Sequence, residues 1–412
     1  MVALKVSAFG GMIPAQDNRL LPENNAALSE NTYLDSGALQ GLRIPRDLHT
    51  MVNPGYKYAF RLPQISPDKN HIMASDWWEF ADPDTNVLRS QVANDSFERY
   101  YFMSPTQAPG YNTKARILAS NPSFVLGIPA PSTAPGLVVI GGAAPTEARS
   151  YVYTWVSAYG EEGPPSPPIL VTGNISGSWN LTLTAPTLAD TTNRNLTRTR
   201  IYRTVTNATG GASYFLVVDQ AIGTLAYNDT LASTFVATQA LLQSQLWTGP
   251  PSDLKGFVSM PNGMMAGFSG KQLCFCEPYK PHAWPEKYRL TAAYPIVGLG
   301  SYASTVVAGT TGYPYVASGT APENMVEEKI EVNLPCVNGR GIVDLGYSVA
   351  YPSNDGLVVV ANGGASVATN ALFTRPKWQK LSAMDFPARR RFTPTRWRSS
   401  MRVSRPRRMT CH

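Results

Sequence analysis

The sequence has little of what usually marks a catalytic, metal-binding or disulfide-linked centre. Of its 412 residues, four are Cys and four are His, and only 15% are charged. Four Cys in a chain of this length do not form a disulfide framework, and they fit synthesis in a reducing cytoplasm. No apolar run reaches the ~18 residues of a transmembrane helix, and the N-terminal stretch lacks the pattern of a signal peptide. We therefore expect no membrane-spanning segment.

Residues that favour strands and turns dominate instead. The chain is 43% hydrophobic and contains 33 Gly and 34 Pro, and long stretches are rich in Thr, Ser, Asn, Val and Tyr. This mixture favours short strands and tight turns over helices. The sequence therefore predicts an all-β protein with an Ig- or fibronectin III-like sandwich, incomplete β-propeller-like blades, and an extended N-terminal arm that contains a short helix.

Shifts in composition divide the chain into five predicted regions. They are a docking arm at 1–50, an aromatic and Pro-rich β region at 51–132, the sandwich at 133–245, the blades at 246–381 and a basic tail at 382–412.

The sandwich region alternates strand-like segments with turns. "SYVYTWVSAYG" places Tyr151, Tyr153 and Trp155 on one face, and "RIYR", "SYFLVV" and "YNDT" follow. The first phrase resembles the last two strands of a fibronectin type III domain, and the later phrases resemble its middle strands. Because they occur here in the opposite order, we expect a rearranged sandwich.

Residues 250–381 repeat a strand–turn–strand plan. Its turns are Asn262-Gly263, Thr311-Gly312 and Asn354-Asp355-Gly356, and their glycines recur at spacings of 49 and 44 residues. Propeller blades recur at about 40 to 50 residues. The segment "RPKWQKL", at 375–381, resembles the start of another blade. Two or three blades cannot close a ring, so either other chains cover the open edges or an ancestral propeller has been shortened.

The segment "PENNAALSENTYLDSGALQG", at 22–41, has too little apolar surface for a core element. Pro22 suits the first position of a short helix, and a hairpin is expected around Asp35-Ser36-Gly37. We predict that this part of the arm docks on a neighbouring subunit or an adaptor, and the alternative is packing on residues 51–132 of the same chain. The predicted docking residues are Leu20, Leu21, Pro22, Tyr33, Leu34 and Leu39.

Candidates for catalysis or metal binding are few. Asp76 and Glu79 flank two tryptophans and could serve a glycosidase, but an aromatic cluster with solvated acids is the simpler interpretation. "GFSGK", at 267–271, is interpreted as a β-turn. The thiols and the imidazole match no strong zinc template; they are Cys274, Cys276, His282 and Cys336. We predict no catalytic residue, no metal and no cofactor.

The C-terminal end is strongly basic. Residues 375–412 hold ten Arg and two Lys against Asp385, whereas the remainder holds 23 basic and 27 acidic residues. Such a tail can neutralise phosphates and stack a base on Trp397, although basic runs are also often solvated ends. The candidate DNA contacts are Arg389, Arg390, Arg391, Arg396, Arg398, Arg402, Arg405, Arg407 and Arg408.

Three phrases, taken in their order, resemble one family. They are "FGGMIPAQDNRLLPENNAALSENTYLDSGALQGLRIP", "YTWVSAYGEEGPPSPP" followed by "RIYR" and "YNDT", and "MPNGMMAGFSGKQLCFCEPYKPHAWP". Over residues 5 to 381 the chain is similar to the tail nozzle or hub proteins of short-tailed bacteriophages. Residues 382–412 do not fit this resemblance.

The resemblance implies a structural virion protein of the tail, synthesised in the host cytoplasm, and not an enzyme. Such proteins form a ring, usually a homohexamer, that extends the tail tube and encloses the channel for genome ejection. The implied partners are further copies of the chain, portal-adaptor proteins, and tail fibres or a needle, with transient contact to genomic DNA.

Two other functions remain open at this point. One is a receptor-binding tail fibre or spike, whose aromatic residues at 77, 78, 100, 101 and 111 would stack on host glycans. The other is a polysaccharide-degrading virion enzyme that uses Asp76 and Glu79.

Overall fold

A computed structural model shows an all-β protein. It describes residues 8–29, 31–33, 37–38, 40–41, 49–62, 77–92, 94–206, 211–362 and 364–383. The longest helix in these ranges has nine residues, and none of them is long and apolar enough to cross a membrane.

The N-terminal arm consists of short pairs of strands. Gly11–Met12 (β1) runs parallel to Asn25–Ala26 (β2), and Thr32–Tyr33 (β3) pairs antiparallel with Gln40–Gly41 (β4), which gives the predicted hairpin. The short helix is a 3₁₀ turn at Asn18–Leu20.

The predicted start of that helix at Pro22 is wrong. The turn lies before Pro22, and its N-terminus is capped by Asp17, whose carboxylate accepts a hydrogen bond from the Arg19 amide at 2.9 Å. The following Asn-rich stretch pairs with β1 instead, and the Asn25 side chain donates to the Gly11 carbonyl at 3.3 Å. Asn and Ser side chains compete with a helix in this way because they bond to nearby backbone groups.

The aromatic region forms a hairpin and a four-stranded sheet. The hairpin is Tyr58–Arg61 (β5) with Trp77–Phe80 (β6). The sheet is a meander of Asn86–Arg89 (β7), Arg99–Ser104 (β8), Gln107–Thr113 (β9) and Phe124–Val125 (β10), with the helix Lys114–Leu118 (α1) between β9 and β10. The short strands predicted for this region are confirmed.

Seven strands form the sandwich. They are Gly136–Ile140 (β11), Thr146–Ser157 (β12), Ile169–Asn174 (β13), Ser178–Thr182 (β14), Leu196–Thr206 (β15), Ala212–Ala221 (β16) and Ala226–Asp229 (β17). Two short helices, Leu188–Asn193 (α2) and Ser233–Val236 (α3), lie beside them.

The two sheets of the sandwich have the orders β11-β14-β17 and β13-β12-β15-β16. The hairpin β12–β13 comes early in the chain, yet the second half of β12, residues 151–157, pairs with β15. The pairing is that of a fibronectin-like sandwich whose last hairpin has moved ahead of its middle strands, so the predicted rearrangement is confirmed. Tyr153, Trp179 and Ile201 lie in the core between the sheets and are fully buried.

Three further four-stranded meanders follow. The first is Lys255–Ser259 (β18), Met265–Ser269 (β19), Gln272–Phe275 (β20) and Leu290–Thr291 (β21). The second is Ile296–Tyr302 (β22), Thr305–Thr310 (β23), Tyr315–Ser318 (β24) and Val326–Lys329 (β25). The third is Val343–Asp344 (β26), Val349–Ser353 (β27), Gly356–Ala361 (β28) and Gly364–Val367 (β29). In the described residues after the arm, the 3₁₀ turns are Ser244–Leu246, Pro261–Gly263, Glu286–Tyr288, Pro322–Asn324 and Gly339–Gly341.

The predicted hairpin turns join these strands. Asn262 and Gly263 both adopt positive φ, 62° and 70°, between β18 and β19, as residues with little steric penalty there allow. The turns at 311–312 and 354–356 lie between the middle strands of the next two meanders.

The four meanders stack face to face like propeller blades. One hydrophobic cluster joins the sheet β7–β10 to the sheet β18–β21. A second joins β18–β21 to β22–β25, and a third joins β22–β25 to β26–β29. The first strands β7, β18 and β22 adjoin one another. The first strands of successive sheets are therefore neighbours, as in a propeller, and the sheet of β7–β10 supplies one blade beyond the three in residues 255–367.

Residues 375–381 do not begin another blade, so that prediction is wrong. They belong to the helix Arg375–Ala383 (α4). The reason is tertiary packing: Trp378 is 2% exposed, covers Ala350 and Leu357 on the last sheet, and donates its indole N–H to the Ser353 carbonyl at 2.7 Å. The helix thus covers the face on which a next blade would pack.

Candidate functional site

The first part of the predicted docking surface is accessible to a partner. Leu20 is 69% exposed, Pro22 is exposed and Leu21 is half-buried. Tyr33 lies in β3, but its side chain, together with Leu34 and Leu39, falls outside the described residues. The interface itself stays a prediction.

The arm also touches the C-terminal helix of its own chain. The Lys377 ammonium group donates to the Pro14 carbonyl at 3.1 Å. Leu28, at 72% exposed, remains uncovered in the same arm. The arm is therefore placed at the end of the stack of sheets, with apolar side chains facing outward.

Glu79 is engaged by backbone and imidazole groups rather than paired with a second acid. Its carboxylate accepts hydrogen bonds from the Val52 amide at 2.8 Å and the Asn53 amide at 3.2 Å, and lies 2.7 Å from His49 Nε2. His49 stacks on Trp77 at 4.9 Å between ring centroids. Asp76, the other predicted glycosidase acid, falls outside the described residues. The cluster holds residues 49–53 against the hairpin of β5 and β6.

Stability should depend on pH through Glu79. Burial alone raises the pKa of Glu79, but bonds from Val52, His49 and Asn53 outweigh it, and the net pKa is below its ordinary value of 4.5. A lowered folded pKa stabilises the fold above the unfolded value, and this contribution is lost as pH falls through the folded pKa. We expect Glu79→Gln to lower the unfolding temperature at pH 7 and to lower it less at pH 3. The exposed Glu23→Gln is the control, and an equal loss at both pH values would contradict this account.

The thiols and the imidazole do not gather into a metal site. Cys276 lies in the core and its sulfur accepts from the Met265 amide, while His282 Nε2 lies 3.2 Å from the Glu162 carbonyl. Burial raises the pKa of Cys276 to about 12 and lowers the pKa of His282 to about 3. Within the described ranges no three His, Cys, Asp or Glu residues could hold a metal.

Three of the five aromatic residues considered for glycan stacking are part of the core. Tyr100, Tyr101 and Tyr111 are 0%, 0% and 1% exposed. Trp78 packs edge-on against Phe102 with ring centroids 5.4 Å apart. The faces of the three tyrosines are therefore covered by protein and not open to a sugar, whereas Trp77 and Trp78 are half-buried.

Two successive acids join the sandwich to the first sheet. Glu161 accepts from Arg99 Nη1 of β8 at 2.8 Å, and its neighbour Glu162 accepts from Thr154 at 2.7 Å and Tyr202 at 2.8 Å within the sandwich. Both carboxylates are buried, and buried acids are retained where they are paired. The loop between β12 and β13 thus fixes the sandwich against the stack.

A cavity of about 280 Å³ lies where the first strands β7, β18 and β22 meet. Its wall includes Lys255 and Arg340, and Arg340 donates to the Thr85 carbonyl at 3.0 Å. A Cβ on Gly298 would lie 2.8 Å from the Cα of Gly339, so glycine is what lets β22 approach the turn Gly339–Gly341. The sequence repeat gave no indication that residues 84 and 340, far apart in the chain, meet here.

The exposed apolar edge of the sandwich was not predicted from the sequence. Val138 and Ile140 of β11 are 61% and 62% exposed, while Leu137 and Val139 pack against the core. The nine arginines predicted to contact DNA fall outside the described residues.

No protein-family model matches the chain, and no curated protein matches it. Among solved structures the chain is similar to apo AztD from Citrobacter koseri, with 8% identity and a TM-score of 0.22 over 64% of this chain and 66% of that one. It is also similar to YCF48 from Cyanidioschyzon merolae, with 11% identity and a TM-score of 0.23 over 70% of this chain and 72% of that one. The fold assignment therefore rests on the strands and their pairing.

Proposed function

We propose that the protein is a structural component of a short phage tail, and that copies of it form a ring around the channel for genome ejection. The observation that carries the proposal is the set of apolar side chains left uncovered on strand edges and on the arm, as at Leu20 and Val138. Apolar residues on open edges are a hazard for a free monomer and are useful where a partner covers them.

Two further features support a structural role. The order of the three sequence phrases resembles nozzle or hub proteins, whose rings usually have six copies. The part of the chain before residue 375 holds 23 basic and 27 acidic residues, so a channel lined by it offers DNA few phosphate-neutralising contacts. On this proposal the neighbours along the tail are a portal adaptor and fibres or a needle.

The arm provides the first test. We expect the double change Leu20→Asp and Leu21→Asp in the full chain to prevent assembly, because a buried charge at a subunit contact is costly. The matched control is Leu188→Asp, at a residue that is 83% exposed and outside the predicted docking surface. The measurement is the mass of each variant by light scattering after size exclusion.

Circular dichroism should give the same spectrum for all three proteins. Full-size assemblies from the double variant would show that the arm does not hold the subunits together.

A further inference from the structure

The two outer faces of the sandwich differ in charge. On the four-stranded sheet, Arg198 and Arg200 form ion pairs with Asp219 at 2.6 and 3.1 Å. On the three-stranded sheet the single acid, Asp229, points into the core and is fully buried. We define the neutral face as the outward side chains of this second sheet: Val138, Ile140, Ser178, Asn180, Thr182 and Asn228.

The sequence explains why this face is neutral. Residues 117–146 and 163–189 contain no Asp, Glu, Lys, Arg or His, and they include all of β11, β13 and β14. A solvent-facing sheet normally carries charged side chains among its exposed positions. Their absence from two separate stretches that meet in one sheet indicates a surface that is covered in use.

The edge strand of the neutral face is open. In the described part of the chain, β11 pairs only with β14. Two other edges are protected: the backbone of residues 240–242 bonds to β16, with Leu216 N donating to the Ala240 carbonyl at 2.9 Å and Leu242 N to the Tyr214 carbonyl at 3.0 Å. The edge strand β25 carries Glu327, Glu328 and Lys329. Charges and covering segments are the usual means of blocking strand addition, and β11 has neither.

We propose that a second copy of this chain docks on the neutral face and lies along β11. The proposal rests on the proposed function, since a ring requires copies in contact. Nucleic acid and anionic membranes do not fit as occupants, because both are bound through Lys and Arg. At high protein concentration an exposed apolar edge associates with another surface. A second copy of the chain is always present at that same concentration.

The side chains that lie in a row across the neutral face are typical of a surface that contacts another protein. Val138 lies opposite Asn180, and Asn180 lies opposite Asn228. An apolar edge beside amide groups that can donate and accept resembles the mixture of apolar centre and polar rim in subunit contacts. The copy therefore gains apolar burial at β11 and hydrogen bonds across β14 and β17.

The test places charge on the edge. Val138→Lys combined with Ile140→Lys is expected to weaken self-association by about tenfold or more, because the contact would bury ammonium groups that have no partner. Leu188→Lys is the matched control: Leu188 is 83% exposed, lies in the second of the two uncharged stretches, and is outside the neutral face. The measurement is the dependence of mass on concentration by light scattering.

A second measurement identifies the occupant. Val138→Cys in a Cys411→Ser background is labelled with a benzophenone, since Cys274, Cys276 and Cys336 are buried. Irradiation is expected to give chain-to-chain cross-links that mass spectrometry maps. This inference alone would be overturned if the wild-type protein assembles, the double Lys variant assembles equally well, and the labelled variant gives no such cross-link. A wild-type protein that stays monomeric at every concentration would overturn the proposed function as well.

Discussion

Replacing Asp229 with alanine is expected to destabilise the sandwich by about 3–5 kcal/mol, as is usual when one partner of a buried ion pair is removed. Asp229 Oδ2 lies 3.1 Å from Arg203 Nε and accepts from the Tyr151 hydroxyl at 2.7 Å. Arg149 Nη1 lies 3.9 Å away, and Arg203 and Arg149 are 0% and 1% exposed. The variant leaves both guanidinium groups buried without their common carboxylate.

The matched control is Asp219→Ala on the outer face. Asp219 pairs with Arg198 at 2.6 Å, but that arginine side chain is 48% exposed, and exposed pairs contribute about 1 kcal/mol or less. Urea denaturation followed by tryptophan fluorescence compares the two variants. Equal losses for Asp229→Ala and Asp219→Ala would show that the buried network does not hold the sandwich together.

Trp378→Ala is expected to cost about 3–5 kcal/mol, the range for truncating a large buried side chain. Trp378 is fully covered where α4 meets the last sheet, and the change uncovers Leu357 and removes the bond to the Ser353 carbonyl. We expect α4 to detach, so that the outer face of β27 and β28 becomes an apolar surface.

The control for this change is Lys380→Ala, an exposed residue of the same helix, where surface substitutions cost within about 0.5 kcal/mol. Limited proteolysis measures detachment directly, because a released helix is cleaved near its basic residues. Cleavage of Trp378→Ala at the same rate as Lys380→Ala would contradict the role of α4 as a cover.

Much of the fold was predictable where local chemistry decides it. The alternation of Tyr151, Tyr153 and Trp155 with smaller residues placed β12 correctly, and Asn262-Gly263 marked a turn because both residues tolerate positive φ. The reversed order of the sandwich strands followed from their similarity to fibronectin strands, and the pairing of β12 with β15 confirms it.

The errors arose where tertiary contacts decide the outcome. The early Pro and the helix-forming Lys, Gln and Leu of "RPKWQKL" favour a helix, but only the packing of Trp378 on the last sheet shows that these residues cover the stack as α4 and do not continue it as a blade. Pro22 is acceptable at a helix start, yet Asn25 pairs with the strand β1.

The candidate surfaces were predictable only in part. The apolar residues Leu20 and Leu21 indicated a docking arm, but "GLVVI" in β11 is apolar throughout, so the sequence does not show that Val138 and Ile140 face outward. The buried ion pairs could not be predicted either. Arg149, Arg203 and Asp229 are distant in the chain and meet only through the strand register.

The ring is tested most directly by imaging the purified full-length protein by negative-stain electron microscopy. We expect rings of sixfold symmetry with an open central channel, built from subunits of 44.7 kDa. Particles that remain single 44.7 kDa subunits at every concentration would contradict the account.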